Sequence, residues 1–188
     1  MLLRFNALCL LLLASAAFAP YPSSSAAAAG DEPPQWLRQV AGASAPAYDR
    51  KVPAVVLLDE ETVTVGADGR IRTVATYAVR VLTREGRDEA VARVPYTTNS
   101  DKVKELRAWL IYANGSVKKY GEKETADIAF VDNDVYNDLR AKLILAGRDA
   151  EPGAVFGYQA VTEERSPFSQ LSWQFQSGLP TLLSRYTV

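Results

Sequence analysis

The sequence predicts an all-β protein, an antiparallel β-sandwich-like domain of about eight or nine strands with one short N-terminal helix. Three observations carry that expectation. From Val55 onward apolar residues recur with a period of two, the spacing that puts alternate side chains on one face of a sheet. Turn signals (GADG, Asn114-Gly115, Pro152-Gly153) break the chain at short intervals. One stretch after the N-terminal segment, QWLRQVAG, has helical spacing instead.

That helix is expected to enter after Asp31 and the Pro33-Pro34 pair, to run about two turns with Trp36, Leu37 and Val40 on one side, and to stop at Gly42. Trp36 is its expected anchor. Residues 60–83 read as a hairpin: ETVTV, the turn GADG, then RIRTVATYAVRVLT. In its second strand Ile71, Tyr77, Val79 and Val81 share one face, and Arg70, Arg72, Thr76 and Arg80 share a wet one. A strand is expected near Glu89–Tyr96, with TTNSD as a loop. In KELRAWLIYANGSVKKYG, Asn114-Gly115 lies between two strand-like runs, a strong hairpin signal because both turn positions favour positive φ. Leu139, Ala141, Leu143 and Leu145 alternate with Arg140 and Lys142; Phe156, Tyr158 and Ala160 alternate with Gly157, Gln159 and Val161. LSWQF and LLSRYTV, separated by Gly178-Leu179-Pro180, complete the strand count.

The chain has 188 residues, 48% of them hydrophobic, enough for one domain with a core. Its 21 basic and 22 acidic residues nearly cancel, so bulk charge gives no footprint for nucleic acid or an anionic membrane. MLLRFNALCLLLLASAAFA has an early cation at Arg4, an apolar run through Leu13 and then small residues, the pattern of a secretory signal. The expected segments are a signal at 1–19, with a cut anywhere up to about residue 29, a linker at 20–35 and the sandwich at 36–188. The apolar run is short of the roughly 18 residues a spanning helix needs, so no stable membrane anchor is expected after cleavage. Export to the periplasm or cell envelope follows.

Cys9, the only cysteine, leaves with the signal, and the sequence has no histidine. The mature chain thus lacks a thiolate, the usual neutral base, both common triads and most zinc sites. Catalytic, cofactor and metal residues are expected to be none. The cluster Asp132, Asn133, Asp134, Asn137 and Asp138 offers oxygen ligands, but an EF-hand would want Gly near position 137 and Glu near 143, where Asn and Leu stand. A solvated acidic loop explains it. Ser116-Val117-Lys118-Lys119 spells S-x-x-K, yet it falls on a hairpin where that chemistry needs a helix start. Glu60, Glu61, Glu163 and Glu164 offer carboxylates for glycoside cleavage, but adjacent Glu residues on a strand face opposite ways. Trp109 and Trp173 are the candidate rings for stacking on a ligand, set against the commoner use of such rings as core.

AVVLLDEETVTVGADGRIRTVATYAVRVLTREGRDEA, ELRAWLIYANGSVKKY, VYNDLRAKLILAGRDAEPGAVFGYQAVTEE and LPTLLSRYTV, in that order and spacing, resemble the bacterial domain of unknown function 3857 over about residues 36–188. Tyr136, Asp138, Arg140, Gly153, Gly157 and Tyr158 match its central segment. Strand and turn geometry is their expected role. The resemblance implies an exported sandwich commonly followed by a transglutaminase-like domain with a Cys-His-Asp triad. This sequence stops at Val188 within a strand-like run and carries no such region, which gives the expectation of a fragment of a longer protein. Three readings follow: a non-catalytic module accompanying a transglutaminase-like domain in cis or in trans, a stand-alone module binding an envelope glycan or peptide, and an enzyme relying on carboxylates alone.

Overall fold

The computed structural model describes residues 32–129, 138–165 and 170–188. Residues 1–31, which hold the expected signal and most of the expected linker, and Tyr136, with the acidic cluster up to Asn137, lie outside them. The described residues form nine strands in two sheets: β1 (Ala54–Val65), β2 (Ile71–Val81), β3 (Val91–Thr97), β4 (Asp101–Ile111), β5 (Val117–Tyr120), β6 (Ala126–Ala129), β7 (Leu139–Leu145), β8 (Val155–Glu164) and β9 (Ser184–Thr187). One α-helix, α1 (Gln35–Ala41), precedes them. The larger sheet has the order β5-β4-β8-β2-β1-β9 and the smaller β3-β7-β6. All neighbours are antiparallel except β1 and β9. The class is all-β, as the two-residue period predicts.

The smaller sheet lies on one face of the larger, with β3 against β4 and β8, and β7 against β4. Val79, Val81, Ala92, Leu110, Ile144 and Phe156 fill the space between, all essentially inaccessible. The opposite face of the larger sheet is not simply wet. Leu37 of α1 packs there among Val55, Leu57, Leu58, Ala78, Trp109 and Val155. Arg80, on that face, donates from Nη2 to the carbonyls of Ala41 (2.8 Å) and Ala43 (3.0 Å) and so ties down the end of the helix. Leu37, fully buried, is the anchor, and Trp36 packs at the margin of the cluster.

Both tight hairpins share one geometry. In GADG, Gly69 N–H donates to Gly66 O and Gly66 N–H to Arg70 O; around Asn114, Gly115 N–H donates to Tyr112 O and Tyr112 N–H to Ser116 O. Positive φ occurs only at the final glycine of each, Gly69 at 75° and Gly115 at 83°. These are three-residue loops closed by a glycine bulge, so Asn114 does not take the positive φ expected of it. Its carboxamide instead accepts from Ser116 N–H and Oγ–H, at 2.9 and 2.7 Å.

The strand count is also made up differently from the sequence expectation. LSWQF forms no strand: Trp173 is held through its side chain at the edge of the larger sheet rather than through a backbone ladder. The ninth strand is instead β6, which pairs with β7 from Ala126↔Leu143 to Ala129↔Arg140. Between β2 and β3 a 3₁₀ turn, Glu85–Glu89, falls on REGR, which the sequence reads as a turn, and β3 starts at Val91, two residues after the Glu89 expected.

Candidate functional site

A β-bulge in β1 decides which residues meet at the open side of the larger sheet. The register with β2 shifts between Val56 and Leu58, so Leu57 is an extra residue and the strand changes phase there. Both Leu57 and Leu58 consequently pack under α1. Beyond the bulge the odd positions turn to the other face: Asp59 stands opposite Tyr77, and Glu61 opposite Ala75. Without the bulge these two carboxylates would point at the helix.

One register row now crosses all six strands: Ser184, Asp59, Tyr77, Tyr158, Ala108 and Tyr120. Its Ala108–Tyr120 end is in the core. The Tyr77 and Tyr158 rings are 5.5 Å apart, and Phe156 links Tyr158 (6.4 Å) to Tyr120 (6.5 Å). The other end opens at β9. There Trp173 Nε1–H donates to Ser184 Oγ at 3.0 Å, stacks on Tyr186 at 5.4 Å and 19°, and meets Phe175 edge-on at 6.3 Å. Phe175 is 59% exposed. Tyr186 is the register partner of Glu61. The candidate site is thus an aromatic wall beside two half-buried carboxylates, backed by a tyrosine pair.

Neither Asp59 nor Glu61 has a cationic partner among the described residues. Burial raises the pKa of Asp59; burial, then the Asp59 charge, raises that of Glu61. Burial, reinforced by Asp59 and Glu61, pushes Tyr158 up to about 12, and burial raises Tyr77 as well. Both tyrosines therefore remain neutral hydroxyls at physiological pH. The site offers stacking surface, neutral hydroxyl groups and anionic acceptors, but no thiol, imidazole or ammonium group.

The other sequence candidates are dispersed. Trp109 is only 4% exposed, inside the cluster under α1, and its Nε1–H has no hydrogen-bond partner among the described residues. Burial removes this ring from the surface. Glu60 faces away from Glu61 and pairs with Arg185 at 2.9 Å, while Glu163, on the same outer face, pairs with Lys104 at 3.2 Å. Glu61 and Glu163 lie on opposite faces, and no hydrolytic carboxylate pair forms from them. Ser116 is engaged with Asn114 on the hairpin loop, remote in role from a helix-start nucleophile. Among the described residues no cluster of three or more ligating side chains could hold a metal.

The described residues of the central segment, which exclude Tyr136, occupy turns and packing positions. Asp138 accepts from Thr98 N–H through its backbone carbonyl, at 2.9 Å. Arg140 Nε–H donates to Asp127 Oδ1 at 2.8 Å, and Tyr96 O–H donates to Oδ2 of the same carboxylate at 2.7 Å, pinning β6 to β7 and β3. Gly153 has φ of 91° at the third position of a turn closed by Ala154 N–H to Glu151 O, the place where Pro-Gly fits. Gly157 lies directly beneath Leu37: a Cβ there would sit 2.4 Å from Leu37 Cδ1. Spacing alone gives no sign of that contact. Nor does it show the Asp59–Tyr77–Tyr158 row, which depends on the bulge.

The family model described as "Domain of Unknown Function with solved-structure structure (DUF3857)" matches residues 67–188. Among curated proteins none matches. Among solved structures, one described as a "putative protease" from Parabacteroides distasonis ATCC 8503 is similar at 15% identity and a TM-score of 0.53, covering 60% of this chain and 23% of that one. The likeness is one of fold, and it spans about a quarter of the larger protein.

Proposed function

The chain belongs to the DUF3857 family, and on that premise we propose that it is a non-catalytic, exported β-sandwich module that works beside a transglutaminase-like domain carrying the Cys-His-Asp chemistry. The observation that carries this reading is the composition of the candidate site. Its tyrosines are held neutral, its carboxylates lack a partner base, and no histidine exists in the sequence to activate a nucleophile. Such a surface binds or positions; acyl transfer needs groups supplied from elsewhere. The neighbouring fold, occupying 23% of a much longer protein, supports a module that operates as one part of a larger machine. Among the described residues no helix is long and apolar enough to cross a membrane. The apolar run at residues 7–13, behind the cation at Arg4, supports export.

The test is amide and peptide hydrolysis, and transamidation, by the purified chain. Rates at the level of buffer are expected. Reproducible turnover abolished by one substitution, at Asp59 or Glu61 for example, overturns the proposal. Fusing residues 1–30 to a reporter active only outside the cytoplasm tests export, and a silent reporter counts against it.

A second reading is favoured by the Trp173–Phe175–Tyr186 wall: a stand-alone module that binds an envelope glycan or peptide by ring stacking. Saturable quenching of Trp173 emission by glycan fragments, lost in Trp173→Ala, would select it over the accessory role.

A further inference from the structure

A second surface lies away from the aromatic wall and has different chemistry. The 3₁₀ turn Glu85–Glu89 and the turn after β7 enclose a cleft of about 760 Å³, lined by Arg84, Arg87, Asp88, Val91, Leu145 and Arg148, with the backbone of Gly147. Its walls are locked together. Arg87 donates from Nε to Gly147 O at 3.0 Å and from Nη2 to Arg148 O at 2.7 Å, bridging the two turns. Neither turn has slack: a Cβ on Gly86 would fall 1.9 Å from Pro53 O, and one on Gly147 would fall 2.8 Å from Arg87 O.

This clamp holds Arg84 and Arg148 on the lining without an ion pair among the described residues. Nearby acids are occupied elsewhere: Glu85 is hydrogen-bonded to Thr83, and Asp149 to Lys118 and Tyr120. Asp88 is the acid that lines the cleft. Beside the guanidinium groups Leu145 is 66% exposed, opposite Val91 in the β3–β7 register. The cleft also opens at the start of β3, which is the outer strand of its sheet and pairs on one side with β7.

We propose that this cleft binds an extended acidic peptide, with a carboxylate held by Arg84 and Arg148, an adjoining aliphatic side chain against Leu145 and Val91, and its backbone alongside β3. Guanidinium forks match carboxylates in a bidentate geometry, an exposed Leu beside them favours an apolar neighbour, and a strand edge accepts an extended chain. Asp88 weighs against a polyphosphate, which would bring several charges past it. The inference is independent of the accessory role, since it rests on the opposite charge and on another part of the fold.

The experiment is fluorescence anisotropy of the purified chain with a labelled peptide of alternating Glu and Leu, its Gln-and-Leu counterpart, and vesicles of phosphatidylglycerol. Saturable binding of the Glu peptide is expected, weakened about tenfold or more by Arg84→Glu or Arg148→Glu, by the Gln exchange, and by raising salt. Circular dichroism establishes that both variants are folded; Arg87 is left intact because it clamps the turns. No saturable binding, equal binding of the two peptides, unchanged affinity in a folded Arg84→Glu, Arg148→Glu double variant, or binding of the vesicles in place of the peptide each overturns the proposal.

Discussion

Substituting Gly157 by Ala adds one methyl group at the most closely packed point between α1 and the sheet. The new Cβ would lie 2.4, 3.0 and 3.2 Å from Leu37 Cδ1, Cδ2 and Cγ. Carbon atoms in good contact sit about 3.5–4.0 Å apart, so Cδ1 has to retreat by about 1 Å or more. Leu37 is 0% exposed, and Val55, Leu57, Leu58, Ala78, Trp109 and Val155 close the space it would retreat into. Overpacking of this kind costs about 1–3 kcal/mol. Loss of Leu37 burial, about 1.5–3 kcal/mol, sets the scale if the helix lifts away instead. For a domain of this size each kcal/mol lowers Tm by about 2–4 °C. Thermal and urea unfolding of the parent, Gly157→Ala, Leu37→Ala and the double variant form a cycle that isolates the contact. Leu37→Ala alone is expected to cost about 2–5 kcal/mol, because it leaves a cavity. In that background Gly157→Ala should be neutral or slightly stabilising, since Ala loses less backbone freedom than Gly on folding. An equal penalty in both backgrounds would show that Leu37 is not what requires the glycine.

Three further outcomes follow from the same geometry. Asp59→Asn and Glu61→Gln should each raise stability at pH 7, read as a higher urea midpoint. Their folded pKa values are raised, so folding gains protons and stability falls as pH rises from the unfolded value through the folded one; an unchanged or lower midpoint would contradict this. Asp149 has the opposite sign: the Lys118 hydrogen bond, then that of Tyr120, lowers its pKa, so its contribution is present above the unfolded value and lost as pH falls through the folded one. Asp149→Asn should flatten the acid side of the stability profile, and an identical profile would count against the bond. Trp173→Phe should leave Tm within about 2 °C while lowering the acrylamide-accessible part of the emission to that of the partly buried Trp36, because Trp109 is buried. An unchanged accessible fraction would place the exposed fluorophore elsewhere.

Much of the architecture was legible because it rests on local chemistry. The two-residue period, the glycines of the hairpin turns and Pro152-Gly153 act over a few residues and show in the sequence directly. Leu37 and Trp36 were both visible on the helix, but which goes deepest depends on the missing side chain at Gly157, 120 residues away by number. The site was hidden for a sharper reason. An unbroken alternation through Val55 and Leu57 would send Asp59 toward α1, and the bulge reverses that without a glycine or proline to announce it. LSWQF has the composition of a strand, yet its rings are satisfied by Ser184 and Tyr186, and its backbone has no ladder. Trp109 is a candidate platform in the sequence with core as its commoner use, and its burial under α1 decides for core.

The parallel pairing of β9 with β1 has a consequence for the order of assembly. Arg185 reaches Glu60 across 125 residues of sequence, whereas β1 and β2 meet through a tight turn. Closing so long a loop is entropically costly until a template exists, so local hairpins form first and β9 docks late. During synthesis β1 therefore waits with one edge unpaired until residues 184–187 have emerged. That delay makes the β1 edge the place where a holding chaperone, or a second nascent chain, would engage before the native strand arrives.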